Sequence, residues 1–327
     1  MKRFATLALY WACALTSPIY AQTAHYAGDP LLLGAGARAL GMGSAYVALS
    51  FDATAIYWNP AGLTPEVSPT RSRTDFAGSS SLSKREIHLQ HAEQFGGSVN
   101  QDIFALRLPL KKGGIGLGIV RAGVDGIALT GLEDPARPIG PGNRPVTIDN
   151  IGTADYVFRI AYGRLITDKL RLGAGIKMIR RDLSVGIGSG FGLDIGLLYL
   201  PTSAFRIGAT IRDLTKTRIA FPDGISDHIS PSLLIGSALQ HRVPGGNMIA
   251  GFSTHLNDKK STLEKTRSIQ LGIEYRLQHR LAFRLGYKDG HFTAGTGLQL
   301  RRFGVDFAFM EHDQLDNTYR ISAILFF

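Results

Sequence analysis

A two-residue alternation runs through the chain from Glu86 to the terminal Phe327, and it restricts that region to β-strands. Ile115, Leu117 and Ile119 alternate with Gly114, Gly116 and Gly118, and Phe191, Leu193, Ile195, Leu197 and Tyr199 alternate with Gly192, Asp194, Gly196 and Leu198. Successive side chains of a strand point to opposite faces, so one face is apolar and the other is small or charged. Glycine supplies much of the small face, with 39 of 327 residues against a usual frequency of about 7%. Beyond residues 1–21 no apolar run reaches the roughly 18 residues of a membrane helix, so a membrane crossing by this chain has to use strands.

The pattern divides into about fourteen strands, at 86–92, 99–109, 113–122, 153–166, 169–180, 190–200, 203–213, 229–240, 247–255, 267–277, 279–288, 291–300, 302–311 and 317–327. Most are near the roughly 9–11 residues of a tilted membrane strand. Lys111-Lys112, Thr167 to Lys169, Pro201 to Ser203, Leu277 to Arg280 and Arg301-Arg302 are tight connections, whereas 123–152, 181–189, 213–228 and 256–266 are longer. That asymmetry suits a barrel with short turns at one end and external loops at the other. A soluble antiparallel sandwich shows similar alternation. Its exposed face is generically polar, however, while here Arg171, Lys177, Asp194, Arg206, Arg212, Glu274, Arg276, Arg284, Asp306 and Arg320 lie among glycines at spacings suited to a wet lumen. The expected fold class is all-β, a transmembrane antiparallel β-barrel over residues 86–327.

Lys2 and Arg3 precede an apolar run from Phe4 to Leu15, and Ile19-Tyr20-Ala21 ends on a small residue, so residues 1–21 read as a secretory signal peptide. Its removal takes away the single cysteine, Cys13, and with it disulfides and thiolate metal sites. Residues 22–66 read as a plug. Between Pro30 and Pro65 the only charges are Arg38 and Asp52, and the glycines preclude a long helix, so this segment seeks burial and requires an enclosure. Asp52 is placed to cap a short helix over Ala53 to Trp58, and Pro60 ends it while pushing Asn59 out of the helical region. About eight strands enclose only side chains and roughly 16 to 18 leave an aqueous channel. A barrel of about fourteen therefore leaves a hole for residues 22–66, with 67–85 as connector.

The run Ala37-Arg38-Ala39-Leu40-Gly41-Met42-Gly43, then Val47-Ala48-Leu49, Ala55 and Tyr57-Trp58-Asn59-Pro60-Ala61-Gly62-Leu63 resembles the N-terminal signature of the PorV/PorQ family. These are bacterial outer-membrane barrels related to FadL-type channels. Departures are Ser44, where a third glycine is usual, and the bulkier pair Ser50-Phe51. The resemblance implies an outer-membrane location and a hatch motif of Arg38, Gly41, Gly43, Asp52, Tyr57, Trp58, Asn59, Pro60, Ala61 and Gly62. Tyr319, Ile321, Ala323, Leu325 and Phe327 alternate up to the end and resemble the signature by which such barrels are recognised for assembly, with Phe327 as the signal. PorV-like members are accessories of type IX secretion, which implies a secreted or surface protein as partner. Loops 123–152 and 213–228 would bind it, the first held extended by Pro135, Pro138, Pro141 and Pro145. FadL-like relatives pass hydrophobic molecules through a plugged barrel, the alternative reading, for which Met42, Tyr46, Phe51, Tyr57 and Trp58 would line the pocket.

Several local patterns invite other readings. Leu31-Leu32-Leu33 before Gly34-x-Gly36-x-x-Ala39, with Asp52 downstream, fits a dinucleotide fingerprint, but no strand–helix unit surrounds it. His88 and His91 fall on opposite faces of a strand, so they do not pair as metal ligands. Gly186 to Gly192, alternately glycine, suggests phosphate binding yet continues as the small face of a strand. No Ser, His and Asp set gathers near one strand end, so neither an enzyme nor a cofactor is expected. The lumenal arginines either select anionic or amphipathic solutes or pair with Asp194, Glu274, Asp306 and plug carbonyls to hold the hatch; the second is the simpler reading. Net charge falls from +10 to +8 when Lys2 and Arg3 leave. Outer-membrane lipid and lipopolysaccharide account for it better than nucleic acid, because no stripe of aromatic and basic residues is present.

Overall fold

The structure is a computed structural model that describes residues 30–65, 84–184, 186–257, 267–278, 280–312 and 316–327. The signal peptide, the first residues of the plug, most of the connector and loop residues 258–266 lie outside these. Strands β1 (Glu86–Gln94), β2 (Val99–Leu110), β3 (Gly113–Leu132), β4 (Pro145–Leu165), β5 (Leu170–Asp182), β6 (Ile187–Tyr199) and β7 (Phe205–Arg212) form half of the wall. A short pair, β8 (Thr217–Ala220) and β9 (Ser226–Ile229), follows. The other half comprises β10 (Ser232–Val243), β11 (Gly246–Asn257), β12 (Arg267–Leu277), β13 (Leu281–Lys288), β14 (His291–Gln299), β15 (Phe303–Met310) and β16 (Thr318–Phe326). Each wall strand pairs antiparallel with its neighbour, and β1 pairs with β16, so fourteen strands close into a barrel as the alternation predicts.

Outward residues fall into registered rows. Leu89, Phe104, Ile119, Phe158, Met178 and Phe191 are successive partners across β1 to β6, all of them exposed. Ile87, Leu106, Leu117, Ile160, Ile176 and Leu193 form the next row toward the chain-terminal end. On the other side of the first row the apolar band stops at His91, Asp102, Arg121, Tyr156 and Arg180, again successive partners. An apolar band bounded by a polar line is what a hydrocarbon layer imposes and water does not. On β16, Tyr319, Ile321, Leu325 and the terminal Phe327 face outward.

One expected loop, 123–152, is largely strand, and another, 213–228, holds a short strand pair. β3 and β4 run well past residues 122 and 153 as a paired ribbon, from Val124 opposite Thr153 to Leu132 opposite Pro145, with register shifts after Val124 and Leu129. The bulge carries Gly126 at φ 73, which breaks strict alternation and hides the strand from a period-two reading. Pro145 is tolerated because it opens the strand. Within 213–228, Asp213 and Lys216 adopt φ 53 and 55 and turn the chain before β8 and β9. The 181–189 connection shrinks to the turn between Asp182 and Ile187.

Inside the barrel, the buried segment from Gly34 to Thr64 lies along the inner wall. It carries α1 (Ala37–Gly41), α2 (Ala55–Trp58) and a 3-10 turn over Pro60–Leu63. Its path is marked by inward glycines on consecutive strands. Gly114 and Gly116 of β3 abut Leu63; Gly163, Gly173 and Gly196 of β4 to β6 abut Pro60 and its neighbours. Gly208 of β7 and Gly236 of β10 abut Val47, Gly251 abuts Ala45, Gly272 and Gly286 abut Met42, and Gly295 abuts Gly41. At most of these positions a Cβ would sit within about 3 Å of hatch atoms, closer than ordinary carbon contacts of roughly 3.5–4 Å. The small inner face read from the sequence is thus the bed of the hatch.

A Gly173→Val protein should still form a barrel, because the wall ladder is untouched, but its side chain would collide with Pro60 and Ala61. Overpacking of this kind costs about 1–3 kcal/mol or more. We expect heat-modifiable mobility to persist while the hatch becomes open to protease and the bilayer conductance rises. Gly142→Ala, where a Cβ meets nothing within 4 Å, should change neither, and a Gly173→Val barrel as closed as its parent would refute the close approach.

Candidate functional site

The hatch carries its own backbone polar groups into the lumen, and these need partners there. Wall side chains supply them. Arg320 donates to Leu33 O at 2.8 Å, Arg107 to Thr64 O at 2.8 Å, and Arg212 to Tyr57 O at 3.1 Å. Ala37 N donates to Ser322 Oγ at 3.0 Å, Gly43 N to Thr293 Oγ1 at 3.0 Å, and Ala53 N to Glu86 Oε1 at 3.0 Å. Gln90 and Gln101 bind the backbone at Gly36 and Gly34.

Asn59 locks the signature turn. Extended at φ −160 as its following proline requires, it donates from Nδ2 to Val47 O and Leu197 O and accepts from Ala61 N. The preceding helix begins at Ala55 rather than Ala53, with Thr54 at its N-cap and no side-chain cap; Asp52 instead closes the turn before it by accepting from Thr54 N at 2.9 Å, and Ala53 N donates to Glu86. Gly62 must be glycine, since a Cβ would overlap Ser50 O. Gly41 approaches the backbone of Gly295 within 3.1 Å of an added Cβ, and Gly43 sits at φ 61 against Leu271 and Tyr287. Ser44 holds φ 63 while buried, a conformation glycine adopts without steric cost, which accounts for the usual residue there.

Below this layer is a charged knot. The Glu274 carboxylate, fully buried, accepts from Arg38 Nε at 2.8 Å, Arg276 at 2.8 Å and Arg284 at 2.6 Å, and Arg284 reaches Asp306 at 2.7 Å. Arg38 also donates to the Tyr46 hydroxyl, which itself donates to Asp52. Burial pushes the Tyr46 phenol well above its usual range, so it remains a donor. The knot borders a cavity of only about 70 Å³. On the opposite wall Asp194 pairs with Arg159 and Lys177, and Lys177 with Asp213 at 2.7 Å. Arg171 and Arg206 stack over the Phe51 ring.

The lumenal charges read from the sequence all face inward, buried except for the half-buried Arg276; the cations engage acids, hatch carbonyls or hatch rings, and the acids engage these cations. The sequence reading missed Glu86, Arg107, Arg159 and Asp213. The first three lie in the inward phase of their strands and could have been found by extending the alternation; Asp213 lies in a turn.

On the upper side, a cavity of about 420 Å³ has Tyr57 and Trp58 as its floor and Phe95, Arg212, His255, Lys288, His291 and His312 among its walls. Tyr46 and Phe51 instead line the lower cavity, and Met42 is buried against Gly272 and Gly286. An inward apolar row, Ile103, Val120, Val157 and Ile179, crosses β2 to β5 and meets Ile219 of β8. Gly188 and Gly190 make room for Phe221 and Ile219, and Gly192 for Thr217 and Lys177, while a Cβ at Gly186 would meet nothing within 4 Å. His88 faces inward and His91 outward, bonded to Asp102. Among the described residues no group of three or more His, Cys, Asp or Glu has metal-binding geometry.

Solved structures with this architecture include the CymD monoaromatic hydrocarbon channel, at 15% identity and TM-score 0.62 over 90% of this chain and 98% of that one. The toluene transporter TbuX of Ralstonia pickettii matches at 15% identity and 0.60, over 90% and 98%. The toluene transporter TodX of Pseudomonas putida matches at 15% and 0.57, over 89% and 96%. At this identity the likeness is one of fold alone: a closed antiparallel barrel of fourteen strands. The model of the F plasmid transfer operon TraF protein family matches residues 176–298. No curated protein sequence matches the chain.

Glu274→Gln leaves the buried Arg284 and the half-buried Arg38 and Arg276 facing a neutral amide, and breaking such a cluster costs about 3–5 kcal/mol. Urea unfolding followed by the mobility shift should move to lower concentration, with the hatch cut by protease before the barrel unfolds. An unchanged midpoint would show that the knot does not hold the hatch.

Proposed function

We propose that the protein is a hatch-closed outer-membrane channel for small, largely apolar molecules. The carrying observation is the upper cavity: it lies over an aromatic floor made by the hatch itself, beside an inward apolar row, in a barrel whose fold is shared by hydrocarbon channels. Ligand pockets commonly measure roughly 300–1,000 Å³ with mostly apolar lining, and this one, at about 420 Å³, is of that kind. In this reading residues 1–21 are removed on export, residues 22–66 act as the hatch, and Phe327 serves assembly.

A second reading rests on a different observation. The ribbon formed by the outer parts of β3 and β4 leaves both its edges unpaired beyond Gly123 and Ala154 and exposes Ile127, Leu129, Val146 and Ile148. Together with the PorV/PorQ-like signature it favours a type IX-like accessory that holds an exported protein at the surface, since strand edges are common docking sites for extended segments.

Opening requires the hatch to move, and that separates the readings. Cysteines at Ala37 and Ser322, which already touch through Ala37 N and Ser322 Oγ, would tie hatch to wall in a mature chain otherwise free of cysteine. We expect the oxidised pair to abolish toluene uptake into cells and a reductant to restore it. Uptake that persists under oxidation overturns the channel. Shortening the ribbon should leave uptake intact; loss of exported proteins from the cell surface on that change would support the accessory reading instead.

A further inference from the structure

The geometry points to a small organic monoanion, with a ring-sized apolar body and one carboxylate, as the ligand of the upper cavity; this rests on the channel reading and narrows it. The floor is aromatic, Tyr57 and Trp58, whose rings meet edge to face at 5.3 Å. A purely hydrocarbon ligand would ask for apolar walls around it, yet this cavity places cations there. Arg212 lies 4.9 Å from the Tyr57 ring centroid and 5.7 Å from that of Trp58. Its Nη2 is spent on Tyr57 O, but its Nε has no hydrogen-bond partner among the described residues. Lys288 projects inward from the end of β13 and makes no hydrogen bond to any described residue. His255, 8% exposed, presents an Nε2 without a partner among the described residues.

Buried donors without acceptors are costly, each about 1–3 kcal/mol; the buried Arg212 Nε is one, and with the half-buried Lys288 ammonium facing the same cavity it calls for an anion. The carboxylate at this rim, Asp289, does not answer them fully, because it already accepts from Ser268 Oγ at 2.6 Å and Ile269 N at 3.0 Å. A ligand carboxylate between Lys288 and Arg212 would meet both cations while its ring rests on the Trp58 floor. The volume, about 420 Å³, admits a body of one or two rings and excludes an extended long acyl chain lying wholly within it. The cations thus set this cavity apart from one shaped for a neutral hydrocarbon.

Benzoate and toluene, alike in the ring and different in the charge, are the probes. Trp11 lies in the segment read as a signal peptide, so in the exported protein Trp58 is the sole tryptophan and its emission reports the cavity floor. With protein purified from outer membranes, benzoate should change Trp58 emission saturably and bind more tightly than toluene by calorimetry. Lys288→Met should weaken benzoate about tenfold, as loss of one charge-assisted hydrogen bond predicts, and leave toluene unchanged, while Lys288→Arg retains benzoate. Lys288 makes no hydrogen bond to any described residue, so both variants should keep the heat-modifiable mobility of the parent. Equal affinity for the two probes, or benzoate binding indifferent to Lys288→Met, overturns the anion assignment and leaves the channel standing. Failure of both probes to bind, with no toluene uptake, overturns both.

Discussion

Backbone lying directly on backbone is the constraint from which the rest of this barrel follows. A hatch of some thirty residues can line a fourteen-stranded wall only where the wall has no side chains, and the inward glycines from Gly114 to Gly295 provide that strip strand by strand. Glycine weakens a strand by roughly 0.5–1 kcal/mol relative to alanine, so the strip is costly to the wall taken alone. The cost is offset because the hatch then fills the lumen at contact distance, and each apolar hatch residue from Ala35 to Leu63 becomes buried. Wall and hatch therefore depend on each other, and neither is a complete structure without the other.

Close contact alone would strand the polar groups of the hatch. Flanking the glycine strip, long polar side chains reach inward at every stage of the hatch path, from Arg320 and Gln90 at its start to Arg107 at its end. Other inward arginines neutralise acids instead, as Arg284 does between Glu274 and Asp306. Buried pairs of this kind add little net stability over apolar packing, but they penalise any wrong register heavily. In a lumen where thirty residues must settle in one of many similar grooves, specificity of placement is what such a network supplies.

Much of this was legible in the sequence for a simple reason: period-two alternation survives wherever one face meets lipid. Fourteen strands and the inward phase of Arg171 through Arg320 came from that rule, while the hatch was read from its scarcity of charge and its glycines. The rule failed at Gly126, where a bulge shifts the phase, and at Asp213 and Lys216, where positive φ in residues other than glycine carries no clear signal. That the arginines pair with Glu274, Asp306, Asp194 and plug carbonyls was also legible, but which arginine holds which carbonyl was not. The partners of Arg107 and Arg320 are hatch carbonyls, groups every residue possesses, so composition cannot point to them. The aromatics shared out similarly: Tyr57 and Trp58 face the upper cavity while Tyr46 and Phe51 face the lower, a division set by the path of the hatch rather than by residue type.

That division bears on how a closed barrel could pass a molecule. Below the hatch the charges are mutually satisfied around a cavity of about 70 Å³, little more than a few water-sized spaces. Separating Arg38 from Glu274 there would break a bidentate bond to a fully buried carboxylate and leave the guanidinium without its acid partner, at a cost of a few kcal/mol. Above it, Trp58 is tied by one hydrogen bond from its Nε1 to Ala35 O, and Tyr57 by Gly34 N and Arg212, single bonds worth about 1 kcal/mol each, somewhat more where the donor is charged. In the channel reading, a ligand that competes for Arg212 weakens one of these ties by binding. The aromatic floor is then the part that yields first, with the Glu274 knot as the fixed end about which it moves.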